Sequence, residues 1–246
     1  MKYFLDTEFL EGSQKTFFGK SKPTIDLISI GIVDENGKEY YAISKDFNLK
    51  EAWNRCDLKE ANTSENHSLN DIRIYWIRKN VLKPIFKDLW FEKGHLQNLH
   101  NISNDFTFSN FKKLINLYGK TNSQIAKEVK TFVQRSEISS FNINDPKQFK
   151  PSFYGYFADY DWVVFCWLFG KMIDLPDGFP MYCNDLKQMS DDVYNEKKKA
   201  YTLKGGNNFL LDLKKHPEYP KQYNEHNALD DAKWNLELFK FLQGVS

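Results

Sequence analysis

Three segments in the first fifth of the chain have the patterns that are typical of β-strands. Lys2 to Phe9 alternates and is rich in aromatic and aliphatic residues, Ile25 to Val33 is a longer β-branched run, and Glu39 to Ile43 repeats the pattern. The pair Asn36-Gly37 lies between the last two segments and tolerates positive φ. We therefore predict that the second and third strands form an antiparallel hairpin.

Helical spacing of apolar residues indicates the remaining elements. Ile72, Tyr75, Trp76 and Lys79 have this spacing ahead of Pro84, where we expect a break or kink. The elements predicted after that point are an amphipathic helix from Asn122 through Val133, a strand from Phe153 to Phe157, a helix ending at Gly170, and a terminal helix from about Ala228 to Leu242. This order of strands and helices predicts an α/β fold with helices layered around a mixed sheet.

The length of 246 residues suits a single domain, residues 1–246, with loop insertions. The predicted insertions are near residues 54–70, 136–151 and 194–225. The last one is long for a connection and immediately precedes His226. We expect it to be a mobile cover that positions His226 when substrate or metal binds.

Charge, hydropathy and cysteine content narrow the class of protein. A formal net charge of +1 excludes the strongly basic field of a protein that coats long duplexes, so any contact with nucleic acid should be local. No apolar stretch approaches the ~20 residues of a membrane span, and we predict neither a signal peptide nor a membrane anchor. Cys56, Cys166 and Cys183 are widely separated, which favours reduced thiols in a cytoplasmic protein.

Candidate chemistry begins on the first predicted strand, at Asp6-Thr7-Glu8. Side chains alternate across a strand, so the carboxylates of Asp6 and Glu8 project from the same face and can share a cation. Two like charges held close together need a counter-charge, and oxygen ligands of this kind suit Mg²⁺ or Mn²⁺. A polar strand end would explain the tripeptide equally well when it is taken alone.

A second acidic pair, Asp159 and Asp161, occurs where the strand after Phe153 gives way to a helix. Aspartate is a favoured N-cap because its carboxylate accepts hydrogen bonds from the orphan amides of the first turn. One aspartate suffices for a cap, and Asp161 lies in line with the apolar stripe that contains Phe165 and Leu168. Asp159 is therefore the better candidate for the cap, and Asp161 is the better candidate for a metal ligand.

The third element is His226-Asn-Ala-Leu-Asp230-Asp231-Ala at the start of the terminal helix. At 100° per residue, Asp231 lies at the margin of the apolar face, whereas Asp230 points roughly the opposite way. A carboxylate beside a buried stripe requires a partner such as a metal ion, which favours Asp231 over Asp230. His226 precedes the helix, and a loop position leaves its imidazole able to approach the same site.

Together these motifs resemble the DEDD superfamily of 3′-to-5′ exonucleases, in its histidine-containing (DEDDh) subclass. The Asp-Thr-Glu-Phe opening, the Tyr-Asp-Trp segment and the His-Asn-Ala-Leu-Asp-Asp-Ala ending are similar to the exonuclease-T-like exoribonuclease branch found in bacteria and their phages. The resemblance spans Tyr3 to Leu242. It implies a ribonuclease-H-like fold, in which a mixed central sheet is flanked by helices.

The resemblance also implies a role for each site residue. Asp6, Glu8, Asp161 and Asp231 would ligate two divalent ions, expected ~3.5–4 Å apart, that activate a water and stabilise the leaving oxygen. His226 would be the general base, because the ordinary histidine pKa near ~6.5 suits proton removal at neutral pH.

Substrate contacts and assembly follow from the same resemblance. Thr7 and Phe9 would contact the 3′-terminal nucleotide, with the ring of Phe9 offering a stacking face, although a core role for Phe9 explains its position equally well. Phe17 and Phe18 would form a wall beside the site or pack into the core. A homodimer is expected because exonuclease-T-like enzymes are often dimers.

The implied activity is an exoribonuclease that degrades single-stranded 3′ ends of RNA, and three alternatives are considered. One alternative is the same chemistry acting on DNA or very short oligonucleotides. RNA and DNA are discriminated through the ribose 2′-hydroxyl, and no motif in this sequence indicates whether that group is recognised. A non-catalytic nucleic-acid-binding module with the same fold would be marked by loss of a carboxylate or the histidine, and all five residues are present. A metal-dependent endonuclease or transposase-like member of the same fold usually lacks the His-x4-Asp element, which His226 and Asp231 supply in this sequence.

Overall fold

A computed structural model of the chain describes residues 1–15, 19, 21–58, 73–92, 102–140, 150–203 and 212–245. Its strands are β1 (Lys2–Lys15), β2 (Ser21–Asp34), β3 (Glu39–Ile43), β4 (Asp57–Leu58), β5 (Arg73–Ile74), β6 (Ser152–Gly155) and β7 (Asn184–Asp185). Its α-helices are α1 (Leu49–Asn54), α2 (Lys83–Glu92), α3 (Ile102–Asp105), α4 (Phe108–Tyr118), α5 (Asn122–Ser140), α6 (Asp159–Phe169), α7 (Leu186–Leu203) and α8 (Ala228–Val245). A π-helix (Arg78–Leu82) and two short 3₁₀ helices (Met172–Asp174 and Leu213–Lys215) complete the elements.

The central sheet has five strands in the order β3-β2-β1-β6-β7. Strand β1 is parallel to β6, pairing Lys2 with Ser152, and β6 is parallel to β7, pairing Tyr154 with Asn184. The hairpin of β2 and β3 makes the sheet mixed. The structure is therefore α/β with a mixed five-stranded sheet flanked by helices, as the sequence predicts, and this architecture is compatible with a ribonuclease-H-like fold.

The turn between β2 and β3 confirms the predicted hairpin, since a connection this short joins neighbouring strands only in the antiparallel sense. Gly37 supplies the positive φ, at 85°. The buried side chain of Asp34 accepts hydrogen bonds from the backbone N–H groups of Asn36 and Lys38, both at 2.9 Å. These bonds satisfy the donors that the reversal of the chain leaves unpaired.

Contacts divide the chain into two compact units. The first contains Met1–Glu8, Ser29–Ala42 and Thr121–Ser246, and the second contains Phe9–Ile28 and Ile43–Lys120. The single domain that the sequence predicts stays a prediction. The insertions predicted near 54–70 and 136–151 fall largely in residues outside the described ranges, as do Phe17 and Phe18.

In the first unit, strand β1 separates two layers of helices. The hydroxyl of Tyr3 donates to the carbonyl of Val133 on α5 at 2.9 Å, whereas the ring of Phe4 packs 5.3 Å from Phe239 on α8. Both side chains of β1 are fully buried. Because alternate residues of a strand share a face, this packing directs Asp6 and Glu8 to the side of the sheet that α8 covers.

The second unit contains the helix that the sequence predicts around Trp76. The helical structure does not end at Pro84, because a π-helix from Arg78 to Leu82 continues directly into α2. Proline lacks an N–H and clashes with the carbonyl four residues earlier, and the wider π-turn accommodates this defect. Arg78 secures the junction, since its Nε donates to the carbonyl of Trp53 at 2.6 Å and its guanidinium lies over the Trp53 ring.

Helix α7 was not predicted. Its residues up to Leu203 occupy the first third of the insertion predicted at 194–225, so that part of the prediction is wrong. The apolar positions that the helix packs inward, Leu186, Met189 and Val193, are few, and a mostly polar sequence gives a weak helical signal.

The structure bears on the predictions about the cysteines and about membrane-spanning segments. Cys56, Cys166 and Cys183 are free thiols, as expected. None of the helices in the described part of the chain combines the length and apolar character that crossing a membrane requires.

Candidate active site

Asp6 and Glu8 lie on β1 where this strand runs beyond its parallel partner. Glu8 is buried and Asp6 is half-buried. Strand β1 pairs with β6 from Lys2 to Phe4, and β6 ends at Gly155. The backbone after Phe4 is therefore available on that edge for contacts with side chains.

Asp161 contacts β1 at this edge of the strand. Its Oδ1 accepts hydrogen bonds from the backbone N–H of Thr7 at 2.9 Å and from the Thr7 hydroxyl at 2.5 Å. Both residues are buried. Thr7 thus fixes one carboxylate oxygen of Asp161 while Asp6 and Glu8 project from the neighbouring positions of the same strand.

The start of α6 differs from the prediction in its cap. The N-cap residue is Ala158, which makes no side-chain capping bond, so the capping role assigned to Asp159 is wrong. Asp185 serves both helices instead: its Oδ2 accepts from the N–H of Ala158 at 2.9 Å, and its Oδ1 accepts from the N–H groups of Lys187 and Gln188 at the start of α7. The half-buried carboxylate of Asp185 therefore holds the starts of α6 and α7 together.

Asp231 is buried on α8, and Asp230 beside it faces away, as the helical spacing predicts. Asp230 interacts with Lys233, at 3.8 Å, and accepts from the amide of Asn224. Each oxygen of Asp231 accepts one hydrogen bond, from the amide Nε2 of Gln222 at 2.7 Å and from the backbone N–H of His226 at 2.9 Å. The segment that carries His226 is therefore tied to the Asp231 carboxylate.

Two contacts set the position of α8 against the sheet. The buried amide of Asn235 donates to the carbonyl of Leu5 at 2.9 Å, one residue before Asp6. Gly31 on β2 lies so close to the first turn that an added Cβ would be 2.2 Å from the carbonyl oxygen of Ala228. The absence of a side chain at Gly31 therefore permits the close approach that brings Asp231 to β1.

Three of the predicted ligands meet in one cluster. Asp6, Glu8 and Asp231 each offer a carboxylate oxygen, and these atoms all lie within 4.8 Å of one another. The Nδ1 atom of His226 is 4.0 Å from Oε1 of Glu8, and His226 adopts a φ of 71° in the turn before α8. Asp161 is outside this triplet, but its charge acts on both Asp6 and Glu8.

Electrostatics at the cluster are unfavourable for four ionised carboxylates. Burial, followed by the charges of Asp231 and Asp161, raises the pKa of Glu8 to about 8. Burial and the three neighbouring carboxylates raise the pKa of Asp6 well above its ordinary range. Burial also raises the pKa of Asp161 to about 6, against the lowering effect of the hydrogen bonds from Thr7, and raises the pKa of Asp231.

The donor set fits a hard divalent cation. The cluster supplies carboxylate oxygens, which Mg²⁺ and Mn²⁺ prefer, and burial followed by the repulsion between neighbouring carboxylates raises the pKa values of Asp6 and Glu8. A bound cation would reverse these shifts, because it favours the ionised carboxylates.

Three residues of the site were missed by the sequence analysis. Asp185 stands directly before the apolar positions of α7 and carries the signal of an N-cap, so a search for that helix would have found it. Gln222 and Asn235 carry no local signal, since their partners lie far away in sequence or in an irregular segment. The substrate contacts predicted for Thr7 and Phe9 stay predictions.

The chain is similar to curated proteins over nearly its whole length. No family model matches the chain. Two relatives from two strains of Mycobacterium tuberculosis are each 25% identical to it over 245 residues, which cover 98% of this chain and 93% of the relative. Both relatives are named 3′-5′ exoribonuclease, and this near-full-length similarity supports an exonuclease family for the chain.

Proposed function

We propose that this protein is a divalent-metal-dependent 3′-to-5′ exoribonuclease of the DEDDh type, with a ribonuclease-H-like fold. The observation that carries the proposal is the meeting of Asp6, Glu8 and Asp231, with carboxylate oxygens within 4.8 Å of one another, next to the imidazole of His226. The near-full-length similarity to two proteins named 3′-5′ exoribonuclease supports the same reaction.

In this proposal Asp6, Glu8, Asp161 and Asp231 hold two divalent ions, Mg²⁺ or Mn²⁺. The bound ions supply positive charge that stabilises the attacking and leaving oxygens of phosphodiester hydrolysis. The protein's own contribution is to keep the four carboxylates close together despite their repulsion. Thr7 holds Asp161, and Gln222 with the backbone of His226 holds Asp231.

The proposed reaction removes one nucleotide at a time. A water oxygen attacks the phosphorus of the 3′-terminal phosphodiester, and the bond from phosphorus to the 3′ oxygen of the preceding nucleotide breaks. The products are a nucleoside 5′-monophosphate and a strand that ends in a new 3′-hydroxyl. In-line displacement of this kind needs a base for the water proton and a site that orients the terminal nucleotide.

His226 is the proposed base. Its side chain is 39% exposed and lies 4.0 Å from Glu8, so it faces both the carboxylate cluster and the solvent from which a water enters. General-base assistance is typically worth about 10²–10⁴ in rate. Thr7 and Phe9 are proposed as contacts of the terminal nucleotide, because they flank Glu8 on β1 and the backbone of this strand would receive the nucleotide.

RNA is the proposed substrate because both relatives are named exoribonucleases. Hydrolysis of DNA or of very short oligonucleotides uses the same carboxylates, and a non-catalytic binding module would bind a 3′ end without cleaving it. A homodimer and a cytoplasmic location stay predictions from the sequence.

Labelled oligonucleotides test the proposal. RNA and DNA of the same sequence, each labelled at either the 5′ or the 3′ end, are incubated with the wild type in Mg²⁺, Mn²⁺ or a chelator. We expect a descending ladder from 5′-labelled RNA and immediate release of a labelled mononucleotide from 3′-labelled RNA, both abolished by the chelator.

Three variants assign the activity to the cluster. Asp6→Asn removes a proposed ligand, and His226→Ala should lower the rate about 10²–10⁴-fold. Asp230→Asn is the matched control, since it removes the same charge from the outward-facing neighbour of Asp231 and should retain activity. Activity that survives Asp6→Asn, or internal cleavage of a circular RNA, would refute the proposal.

A further inference from the structure

A concave surface lies between strand β3 and helix α5, and the residues that line it all belong to the first unit. Its volume is about 510 Å³. We call it the β3–α5 groove. Its charged and aromatic lining residues come from both sides: Lys38, Tyr40, Lys127, Glu128, Phe132 and Arg135.

Positive charge dominates the rim of the β3–α5 groove. Lys127 and Arg135 are exposed and are eight residues apart on α5, so they stand on one ridge about 12 Å apart along the helix axis. Among the side chains that the structure describes, neither forms an ion pair. Lys38 adds a third cation from the hairpin.

The one carboxylate among these residues is already engaged. Oε2 of Glu128 accepts a hydrogen bond from the hydroxyl of Tyr40 at 3.0 Å. Burial, followed by the Glu128 carboxylate, raises the pKa of Tyr40, so its hydroxyl remains a donor. The ring of Tyr40 lies 5.9 Å from that of Phe132, and both residues are half-buried. The groove therefore combines an aromatic floor with a cationic rim.

Another cavity of the first unit lacks this charge pattern. It has a volume of about 650 Å³ and lies between residues 218–224 and α8. Two of its lysines have carboxylate partners, Lys233 with Glu39 at 3.1 Å and Lys240 with Glu237 at 2.8 Å. Its lining carries three lysines and three carboxylates, so a polyanion gains little there.

We propose that the β3–α5 groove binds the phosphate backbone of the single-stranded RNA substrate upstream of its 3′ end. This inference rests on the proposed function. Cations separated along a ridge match a chain of phosphates, and the open parts of the half-buried rings of Tyr40 and Phe132 let bases stack without regard to sequence. Charge complementarity therefore favours a nucleic-acid strand over an apolar partner.

The position of the groove fixes which part of the RNA it reaches. Strand β3 is two strands from β1, about 10 Å across the sheet. Helix α5 covers the face of β1 that carries Tyr3, opposite the face that carries Asp6 and Glu8. A strand whose 3′ end is at the carboxylates must therefore pass the β3 edge before it enters the groove. Only RNA longer than a few nucleotides can occupy both places.

Salt-dependent binding of RNA of two lengths tests the inference. The full chain is titrated into fluorescent trinucleotide and 16-nucleotide RNA with a chelator present, so that no cleavage occurs, at several salt concentrations. The test variant is Lys127→Gln with Arg135→Gln. The control is Lys112→Gln with Lys113→Gln, which removes two exposed lysines from α4 in the second unit. Circular dichroism confirms that both double variants are folded.

For the 16-nucleotide RNA we expect the test variant to lower the slope of log affinity against log salt by about 1.4, the value for two lost phosphate contacts. The control variant should keep the wild-type slope. The wild-type advantage of the longer RNA over the trinucleotide should shrink in the test variant.

Three results would overturn the inference. One is an unchanged slope for the test variant, and another is an equal loss of affinity for both RNA lengths. The third is groove-dependent binding of polyglutamate that is tighter than that of RNA, which would assign the groove to an acidic protein partner. A failure of the proposed function is distinguishable by a parallel assay of the wild type with Mg²⁺ or Mn²⁺ and no chelator. In that assay the wild type would then hydrolyse neither RNA, whatever the state of the groove.

Discussion

At the residue scale, the buried carboxyl of Glu8 links stability to pH. Burial and the charges of Asp231 and Asp161 raise its pKa to about 8 in the folded chain, whereas an unfolded glutamate titrates near ~4.3. Between these values the folded state binds more protons than the unfolded state. Stability therefore falls as pH rises through this window, because the slope follows the difference in bound protons between the unfolded and folded states.

The first prediction concerns the metal-free protein. Its melting temperature in chelator should fall as pH rises from about 5 to 8, with the pKa of Glu8 setting the upper end of the fall. Added Mn²⁺ should raise the melting temperature more at pH 8 than at pH 5, because cations and protons compete for the same oxygens. Differential scanning fluorimetry measures both effects.

Glu8→Gln is the control for this behaviour, since it removes the titrating group and keeps the shape of the side chain. The variant should show a flatter pH profile and a smaller response to Mn²⁺. A metal-free wild type that becomes more stable between pH 5 and pH 8 would show that the cluster is not the source of the pH dependence.

The second prediction concerns Thr7, whose hydroxyl donates to the buried carboxylate of Asp161. Thr7→Val keeps the shape of the side chain and the backbone N–H but removes that donor. A lost hydrogen bond to a charged group typically costs about 1.5–3 kcal/mol, so we expect a loss of stability in this range. Chemical denaturation in chelator measures it.

Thr7→Ser is the matched variant, because it retains the hydroxyl and removes only a methyl group. It should lose less stability than Thr7→Val and keep more activity. Equal losses in the two variants would show that packing of Thr7, rather than its hydrogen bond, supports Asp161.

At the element scale, helix α8 brings Asp231 to the sheet. The helix begins against Gly31, and Asn235 fastens its second turn to Leu5. The apolar spacing predicts that Asp231 lies at the margin of the inward face of α8. In the structure Asp231 lies nearer the centre of that face, in line with the buried residues Asn235, Leu238 and Leu242. The central position explains why Asp231 needs a partner more than a margin position would.

The third prediction is that Gly31→Ala disturbs both stability and the site. The new Cβ would lie 2.2 Å from the backbone oxygen of Ala228, and backbone cannot move aside as a flexible side chain does. Overpacking of this kind typically costs about 1–3 kcal/mol. The first turn of α8 must shift, so RNA hydrolysis should fall more than the loss of folded protein explains.

Gly244→Ala is the matched control on the same helix. An added Cβ there meets no atom within 4 Å, and alanine favours helix over glycine by up to about 1 kcal/mol. This variant should be as stable as the wild type or more so. Unchanged stability and activity of Gly31→Ala would show that the missing side chain at Gly31 does not determine the position of Asp231.

Elements with a strong local pattern were predictable from the sequence. Alternation identifies β1, the Asn36-Gly37 pair identifies the hairpin, and apolar spacing identifies α5 and α8. Helix α7 and the path through Pro84 were not predictable, because the first is mostly polar and the second depends on a π-turn. The spacing of apolar residues along the chain therefore indicates neither helix α7 nor the π-helix.

At the scale of the whole molecule, the topology assembles the site from opposite ends of the chain. Strand β1 is the central strand, and β6 runs parallel to it, so the end of β6 and the start of α6 lie beside the continuing part of β1. Side chains that follow the carboxyl ends of neighbouring parallel strands meet at one edge of a sheet. Asp161 therefore reaches Thr7, between Asp6 and Glu8.

The sequence predicted each of the four carboxylates and His226 from its own neighbourhood, and the structure brings Asp6, Glu8 and Asp231 together beside His226. It did not predict the residues that hold them. Gln222, Asn235 and Asp185 act through partners that only the folded chain supplies.

The most direct measurement of the central claim is anomalous scattering from crystals of the protein grown with Mn²⁺. We expect anomalous density between the carboxylates of Asp6, Glu8 and Asp231, with none at this position in crystals of the Asp6→Asn variant. Anomalous density elsewhere on the chain, with none at this cluster at saturating Mn²⁺, would contradict it.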